Sequence, residues 1–378
     1  MLKLSIREKQ QLNEKYKLLS GRGPDNHLLG RAMRTLRSHR AVLPPENAFG
    51  LFRTADYVQL WIQTEACRHS KAGSCTVCNY WNGKHCPGII DELIVQDQLP
   101  VDCHTLLLNT CGSCLDPLEL SREEQDKLFA WIARYPYKKI IFETHADTLD
   151  QETVGRVCEH FQKQEVLFEF GIESSSADTL FYCLNKRPPQ KSVPEIVEMV
   201  HQYGAFCIAN VLLGAPFLSR QEQVEDAVRT IQELLQQGVD YITLFPVNIK
   251  AYTLLYFLCQ HQQYDVVCGD MIVDVLAQFT ASELPRIDVA WYGEHREEGT
   301  VPPHFCSRCQ VELPKLLQKY NHVESSLERE IVLTKMRSLR CTCLPEDARI
   351  RQADSLYSRL DRGYGLIQKR LLPESEVN

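Results

Sequence analysis

Between Tyr57 and Asn248 the chain alternates short apolar runs with longer amphipathic stretches. The runs are YVQLWIQ (57–63), HTLLLN (104–109), KIIFE (139–143), VLFEF (166–170), FCIANVLL (206–213) and YITLF (241–245). Each has strand length and is rich in residues that suit a pleated, buried surface. The stretches between them carry helix caps. Ser121 stands three residues before Glu124, a capping box that opens a helix toward Arg134. Asp150 opens another, SVPEIVEMVHQYG ends at Gly204, and Ser219 with Glu222 opens a long helix closed by Gly238. Strands followed by helical connections suit right-handed βαβ crossovers. The expected fold is therefore α/β, a partial (β/α)6 TIM-like barrel; a doubly wound open sheet gives the same alternation and is the alternative. In a barrel, reactive groups collect at the C-terminal ends of the strands.

The rhythm is absent at both ends of the chain. Residues 1–50 read as an N-terminal helical extension, 51–255 as the barrel, and 256–378 as a Cys-rich C-terminal segment with a possible strand at IDVAW (287–291). Arg31, Arg34, Arg37 and Arg40 recur along one side of a helix, a solvated face or an anion-facing or RNA-facing patch. Hydrophobic residues make up 44% and charged residues 24%, which excludes a disordered chain. No run has the length of a membrane span, and the opening MLKLSIREKQ lacks a secretory apolar stretch, so a cytoplasmic location is expected. Lys plus Arg is 42 against 49 Asp plus Glu, a net charge of −7, which disfavours broad nucleic-acid affinity. Sixteen cysteines in such a chain suggest metal ligands or redox chemistry before disulfides.

Cys67, Cys75 and Cys78 follow the first strand with spacing C-x7-C-x2-C. A [4Fe–4S] cluster is usually held by four cysteines, so three leave one iron open. S-adenosylmethionine, chelating through its amino and carboxylate groups, fits that opening. Cys86 as a fourth ligand would instead close a zinc or electron-transfer site, and unligated core cysteines are the plainest reading. Cys306, Cys309, Cys341 and Cys343 make two further knuckles, most simply a structural zinc site, with an auxiliary cluster or no metal as alternatives.

The long first gap followed by CTVCNYW resembles radical S-adenosylmethionine enzymes of the 7-deazaguanine subgroup, which holds the radical subunit of archaeosine synthase and the bacterial queuine lyases. TCGSCLDP (110–117), EFGIESSSADTL (169–180), LLGAPFL (212–218) and LFPVNIKAYTLL (244–255) extend the likeness. The resemblance implies that Thr110, Gly112 and Ser113 lie beside the methionyl amino group. It places Glu173 and Ser175 at the cofactor's ribose or carboxylate, although SSSAD is also a good helix cap. Tyr80 is counted with the cofactor residues; Tyr80, Trp81 and Phe245 also offer rings to a planar base, or simply fill core.

A deazaguanine edge calls for carboxylates and side-chain amides. Glu143 and His145 end strand three, Asn210 lies in strand five and Asn248 follows strand six; His145 reads equally well as structural. The implied reaction is C–N cleavage of free queuine to release the 7-aminomethyl base. It needs the cluster, S-adenosylmethionine and an electron donor such as flavodoxin or ferredoxin, with no membrane partner. The alternatives are conversion of a lysine-modified 7-deazaguanine in tRNA, and a non-catalytic metal-binding or electron-carrier module.

Overall fold

The six apolar runs form neighbouring parallel strands in the order of the sequence. The computed structural model describes residues 3–18, 27–38, 49–53, 57–81, 83–110, 112–290, 300–339, 341, 343 and 354–372. Its sheet contains β1 (Phe49–Arg53), β2 (Val58–Ile62), β3 (Thr105–Thr110) and β4 (Lys139–Thr144). It continues through β5 (Glu165–Glu173), β6 (Phe206–Leu213), β7 (Tyr241–Pro246) and β8 (Ile287–Val289). β1 pairs antiparallel with β2, an edge the hydrophobic pattern did not reveal. β8, inside the IDVAW run, adds a parallel strand beyond the six; Trp291 of that run lies outside the described residues.

Strand order never reverses across the sheet. A doubly wound sheet needs a switch point where it does. The sheet instead curls into an open half-barrel, which excludes that alternative.

The helices are α1 (Ile6–Tyr16), α2 (Leu28–Ser38), α3 (Arg68–Lys71), α4 (Ile89–Gln96), α5 (Arg122–Ile132) and α6 (Gln151–His160). They continue as α7 (Val193–Gln202), α8 (Arg220–Gln236), α9 (Leu254–Gln260) and α10 (Gly269–Leu276). The last three are α11 (Glu312–His322), α12 (Ser326–Ser338) and α13 (Leu356–Leu371). The caps read from sequence are present: Ser121 accepts the Glu124 amide at 3.3 Å, and the Glu124 carboxylate accepts the Ser121 amide at 3.1 Å. SSSAD caps too, but it opens a single π turn, Thr179–Leu184, where Ser176 accepts the Thr179 amide.

Strand parity divides the barrel into two chemistries. Leu60, Leu108, Phe142, Phe168, Ala209 and Leu244 are wholly buried in an apolar layer. Burial of each large one stabilises the fold by about 1.5–3 kcal/mol. The opposite parity carries Trp61, Asn109, Glu143, Glu169, Asn210 and Thr243, neighbours in the sheet register and mostly polar. The terminal helices close the structure together. Tyr16 on α1 donates to Asp361 on α13 at 2.7 Å, and Tyr364 donates to the Tyr182 carbonyl at 2.5 Å. Among the described residues no helix is long and apolar enough to cross a membrane.

Candidate active site

The loop after β2 carries Cys67, Cys75 and Cys78 and is folded tightly on itself. The Cys67 amide donates to the Tyr80 carbonyl at 3.1 Å, and the Cys78 amide donates to the Cys75 carbonyl at 3.1 Å. The Tyr80 amide reaches Cys78 Sγ at 3.4 Å. Cys75 sits at φ +61, a conformation disfavoured for a side chain with a Cβ and often retained at functional sites.

Arg37 of α2 explains how this loop keeps its shape. Its guanidinium donates to the Ser70 carbonyl, to Ser70 Oγ at 3.0 Å, to the Ser74 carbonyl at 3.4 Å and to the Cys78 carbonyl at 3.3 Å. The arginine stripe is therefore not one face: Arg37 is buried against the loop, Arg34 is exposed and Arg31 is half-buried. Arg40 lies outside the described residues.

The electrostatics suit bound thiolates. Burial and mutual repulsion push the Cys67 thiol far up and the Cys75 thiol up to about 12. Three cations oppose that shift: Lys186 and Arg37 at Cys75, and Lys250 and Arg37 at Cys78. Three thiols faced by three cations, and able to ionise on binding a metal, are a donor set that fits a [4Fe–4S] cluster with three protein ligands. Cys86 points elsewhere, its thiol 3.6 Å from the Lys84 carbonyl.

Around Cys67 the packing is close. His145 Nε2 lies 3.4 Å from Cys67 Sγ and 3.8 Å from Glu119, and burial pushes the imidazole down to about 4, so it is neutral at physiological pH. Glu119 accepts the Ser113 amide at 2.8 Å, and burial raises its carboxyl to about 7. Gly112 fits between them: a Cβ there would lie 2.5 Å from the Glu119 carboxylate and 2.7 Å from Cys67 Cβ. Its neighbours Thr110 and Ser113 are buried. The Ser113 hydroxyl is shared with Thr144 at 2.5 Å and accepts the His145 amide at 3.2 Å.

At the end of β5, Glu173 stands at φ +67 beside a register shift. Lys186 donates to its carboxylate at 2.8 Å and to the Gly171 carbonyl at 3.0 Å. Ser175 turns away to α8, where its amide donates to Thr230 at 3.0 Å. Tyr80 lies under Lys250, whose ammonium is 4.5 Å from the ring centroid.

The polar layer of the sheet forms the second part of the site. Glu143 and Glu169 are directly opposite in the β4/β5 register. Asn109 donates to Glu143, while Asn210 and Thr243 hydrogen-bond Glu169. Burial, then the Glu143 charge, pushes the Glu169 carboxyl up to about 8; burial also raises Glu143, with Asn109 and Lys250 opposing. With Glu169 pushed that high, by burial first and the Glu143 charge second, the pair keeps one proton at neutral pH. The side-chain oxygens of Asn109, Asn210 and Asn248 are buried with no hydrogen-bond partner. Leaving each unpaired costs about 1–3 kcal/mol, which a ligand bearing N–H groups would relieve.

The sequence pattern points to Glu143, Asn210 and Asn248 but not to Asn109 and Glu169, nor to Lys186, Lys250 and the loop contacts of Arg37. The signal for Asn109 and Glu169 was parity: each is a polar residue set in an apolar run. The three cations carry no such mark. The late cysteines do converge, all four Sγ atoms lying within 4.8 Å of one another.

No family model matches the chain. It is 25% identical over 272 residues to the archaeosine synthase subunit beta of Methanosarcina acetivorans, covering 68% of this chain and 76% of that relative. The chain is similar to that subunit. The Thermococcus kodakarensis protein of the same name is 24% identical over 214 residues, 54% of this chain and 64% of the relative. Among solved structures, Methanocaldococcus infernus Elp3 matches with TM-score 0.44 and 12% identity over 67% of this chain and 58% of that one. The radical S-adenosylmethionine methyltransferase TsrM of Kitasatospora setae matches with TM-score 0.43 and 9% identity over 76% and 62%. This chain thus spans less than two thirds of either solved chain.

Proposed function

We propose that this chain is a radical S-adenosylmethionine enzyme that breaks the C–N bond of free queuine and releases the 7-aminomethyl-7-deazaguanine base. The observation that carries the reading is the polar layer beside the three-cysteine loop, with its carboxyl pair and unpartnered amide oxygens. When bound and reduced, the cluster with S-adenosylmethionine supplies a 5′-deoxyadenosyl radical. Cys67, Cys75 and Cys78 would hold the cluster, on the loop that Arg37 fixes. Glu173, held by Lys186, would accept from ribose hydroxyls.

The deazaguanine edge offers an N–H and an exocyclic amine. The Asn109 and Asn210 oxygens accept such donors, and the Glu143–Glu169 pair balances the cationic side-chain amine of queuine. Once that cation binds, the proton shared by the pair is free to leave. A buried ion pair then replaces a buried shared proton.

The test is anaerobic: reconstituted, dithionite-reduced protein with S-adenosylmethionine and free queuine. 5′-Deoxyadenosine and the aminomethyl base are expected together. No 5′-deoxyadenosine above background, with any 7-deazaguanine or modified tRNA, overturns the radical reading. One observation favours a second substrate: the matched relatives are named for archaeosine synthase. Turnover only on tRNA carrying a lysine-modified 7-deazaguanine would replace the free base with that substrate, and would need a physiological electron donor of the same kind.

A further inference from the structure

The late cysteines lie outside the proposed reaction, and their geometry is specific. Cys306 and Cys309 Sγ are 3.8 Å apart, Cys306 and Cys341 3.0 Å, Cys309 and Cys343 3.4 Å, and Cys341 and Cys343 2.7 Å. None is at the roughly 2.05 Å of a disulfide. All four meet at one point, as four thiolates around a single ion must: with Zn–S of about 2.3 Å, a tetrahedron has an edge of about 3.8 Å. A [4Fe–4S] cluster holds its four thiolates on four separate irons, which spreads the sulfurs more widely.

The two knuckles flank a helical pair in sequence, one before its first helix and one after its second, and meet in space. The Cys306–Cys309 turn closes when the Cys309 amide donates to the Cys306 carbonyl at 3.0 Å, and it leads straight into α11. Cys341 and Cys343 follow α12. The second knuckle is also tied to the barrel. The Cys343 amide donates to Asp270 at 3.2 Å, Asp270 pairs with Arg220 of α8 at 2.6 Å, and the Cys268 thiol donates to the Cys343 carbonyl at 3.2 Å.

From the first knuckle the chain leads back to the active site. His304 bridges the Cys268 position, and its amide donates to the Val267 carbonyl at 2.7 Å. Val301 and Ile249 exchange two backbone hydrogen bonds, at 2.9 and 2.8 Å. Ile249 lies between Asn248, with its unpartnered oxygen, and Lys250, the cation beside Cys78. We infer that Cys306, Cys309, Cys341 and Cys343 bind one structural zinc ion, and that this zinc fixes the segment that holds the Asn248–Lys250 loop in place. The inference rests on these contacts and stands whether or not queuine is the substrate.

Metal analysis of the anaerobically purified chain tests the first half. About one zinc per chain is expected, beside about four irons at the first site. Iron near eight per chain without zinc overturns it in favour of a second cluster, and one extra iron with the red colour of a mononuclear thiolate site overturns it in favour of iron. Cys309→Ser should lose zinc but keep the iron at Cys67, Cys75 and Cys78; zinc retained at wild-type level overturns the assignment. Growth in cobalt gives a reading on the wild-type chain that does not depend on how well the variant folds. Visible bands of tetrahedral tetrathiolate cobalt are expected, and their absence at full cobalt loading contradicts the site.

Hydrogen exchange tests the second half. Chelation of zinc from wild-type protein should speed exchange of the Ile249 amide at least tenfold. Unchanged exchange there, with zinc gone, means the metal does not fix the loop.

Discussion

Glu169→Gln tests whether the pair in the polar layer shares a proton. Glu169 is 7% exposed and sits opposite Glu143, and its carboxyl is pushed from 4.5 to about 8. Between those two values the folded chain holds a proton that the unfolded chain has released. Stability therefore falls as pH rises through this window and levels off above about 8. Each pH unit well inside the window is worth about 1.4 kcal/mol and the slope fades as the group ionises near 8, so from pH 6 to pH 8 the wild type loses about 2.3 kcal/mol that the glutamine variant keeps. In the variant burial still raises Glu143, with Asn109 and Lys250 opposing. The assay is anaerobic urea unfolding of both cluster-loaded proteins from pH 6 to pH 9, read as the difference between them. That subtraction cancels every group common to both. A difference constant to within about 0.5 kcal/mol across the range would mean that Glu169 is ionised throughout, and the shared proton would be refuted.

Three further outcomes follow from the loop and the surface. Arg37→Met leaves the Ser74 and Cys78 carbonyls without this donor and the Ser70 carbonyl with the Gly73 amide, and should destabilise the chain by about 2–4 kcal/mol, with iron content below half of wild type by colorimetric assay. Gly112→Ala places a methyl against Cys67 Cβ and the Glu119 carboxylate, an overpacking of about 1–3 kcal/mol; faster loss of the 400 nm cluster absorbance to a chelator is expected, and an unchanged rate would show that the backbone moves aside freely. If the substrate is a free base, affinity for tRNA should be weak with a shallow salt dependence; a log–log slope steeper than about −4 would report more than four phosphate contacts and favour the tRNA substrate.

Strand parity and the cysteine spacing carried most of what could be read before any coordinates. Alternating runs and capping boxes are local signals, so β2 to β7 and the helices opened by Ser121, Asp150 and Ser219 were legible. β1 was not, because FGLFR is a half-buried edge whose partner choice depends on the chain folding back onto Trp61. Among site residues, cysteines are legible because ligand spacing is short-range. Glu169 was hidden inside VLFEF, where one polar letter reads as noise until the register sets it against Glu143. Lys186 and Arg37 were illegible for a stronger reason: each acts on a loop far away in sequence, and a solvated cation and a buried one look alike in a string of letters.

That last point changes the meaning of the net charge of −7. A nucleic-acid binder spends cations on its surface, where phosphates can reach them. Here the informative cations face inward. Arg37 is consumed by loop carbonyls, Lys186 by Glu173 and the Cys75 thiolate, Lys250 by Cys78 and the Tyr80 ring, and Arg329 and Arg359 by buried carbonyls. The sequence stripe that best suggested an RNA face thus contributes Arg37 to the metal loop and leaves Arg34 as its exposed member among the described residues. Arg37, Lys186 and Lys250 gather at the three-cysteine loop, a charge arrangement that would suit the negatively charged cofactor assembly proposed above. The substrate is left to the carboxyl pair and amides, which select for N–H donors and a cationic amine. Those groups suit the deazaguanine edge of a free base and of a tRNA nucleotide alike, so the salt dependence of tRNA affinity is the measurement that separates the two substrates.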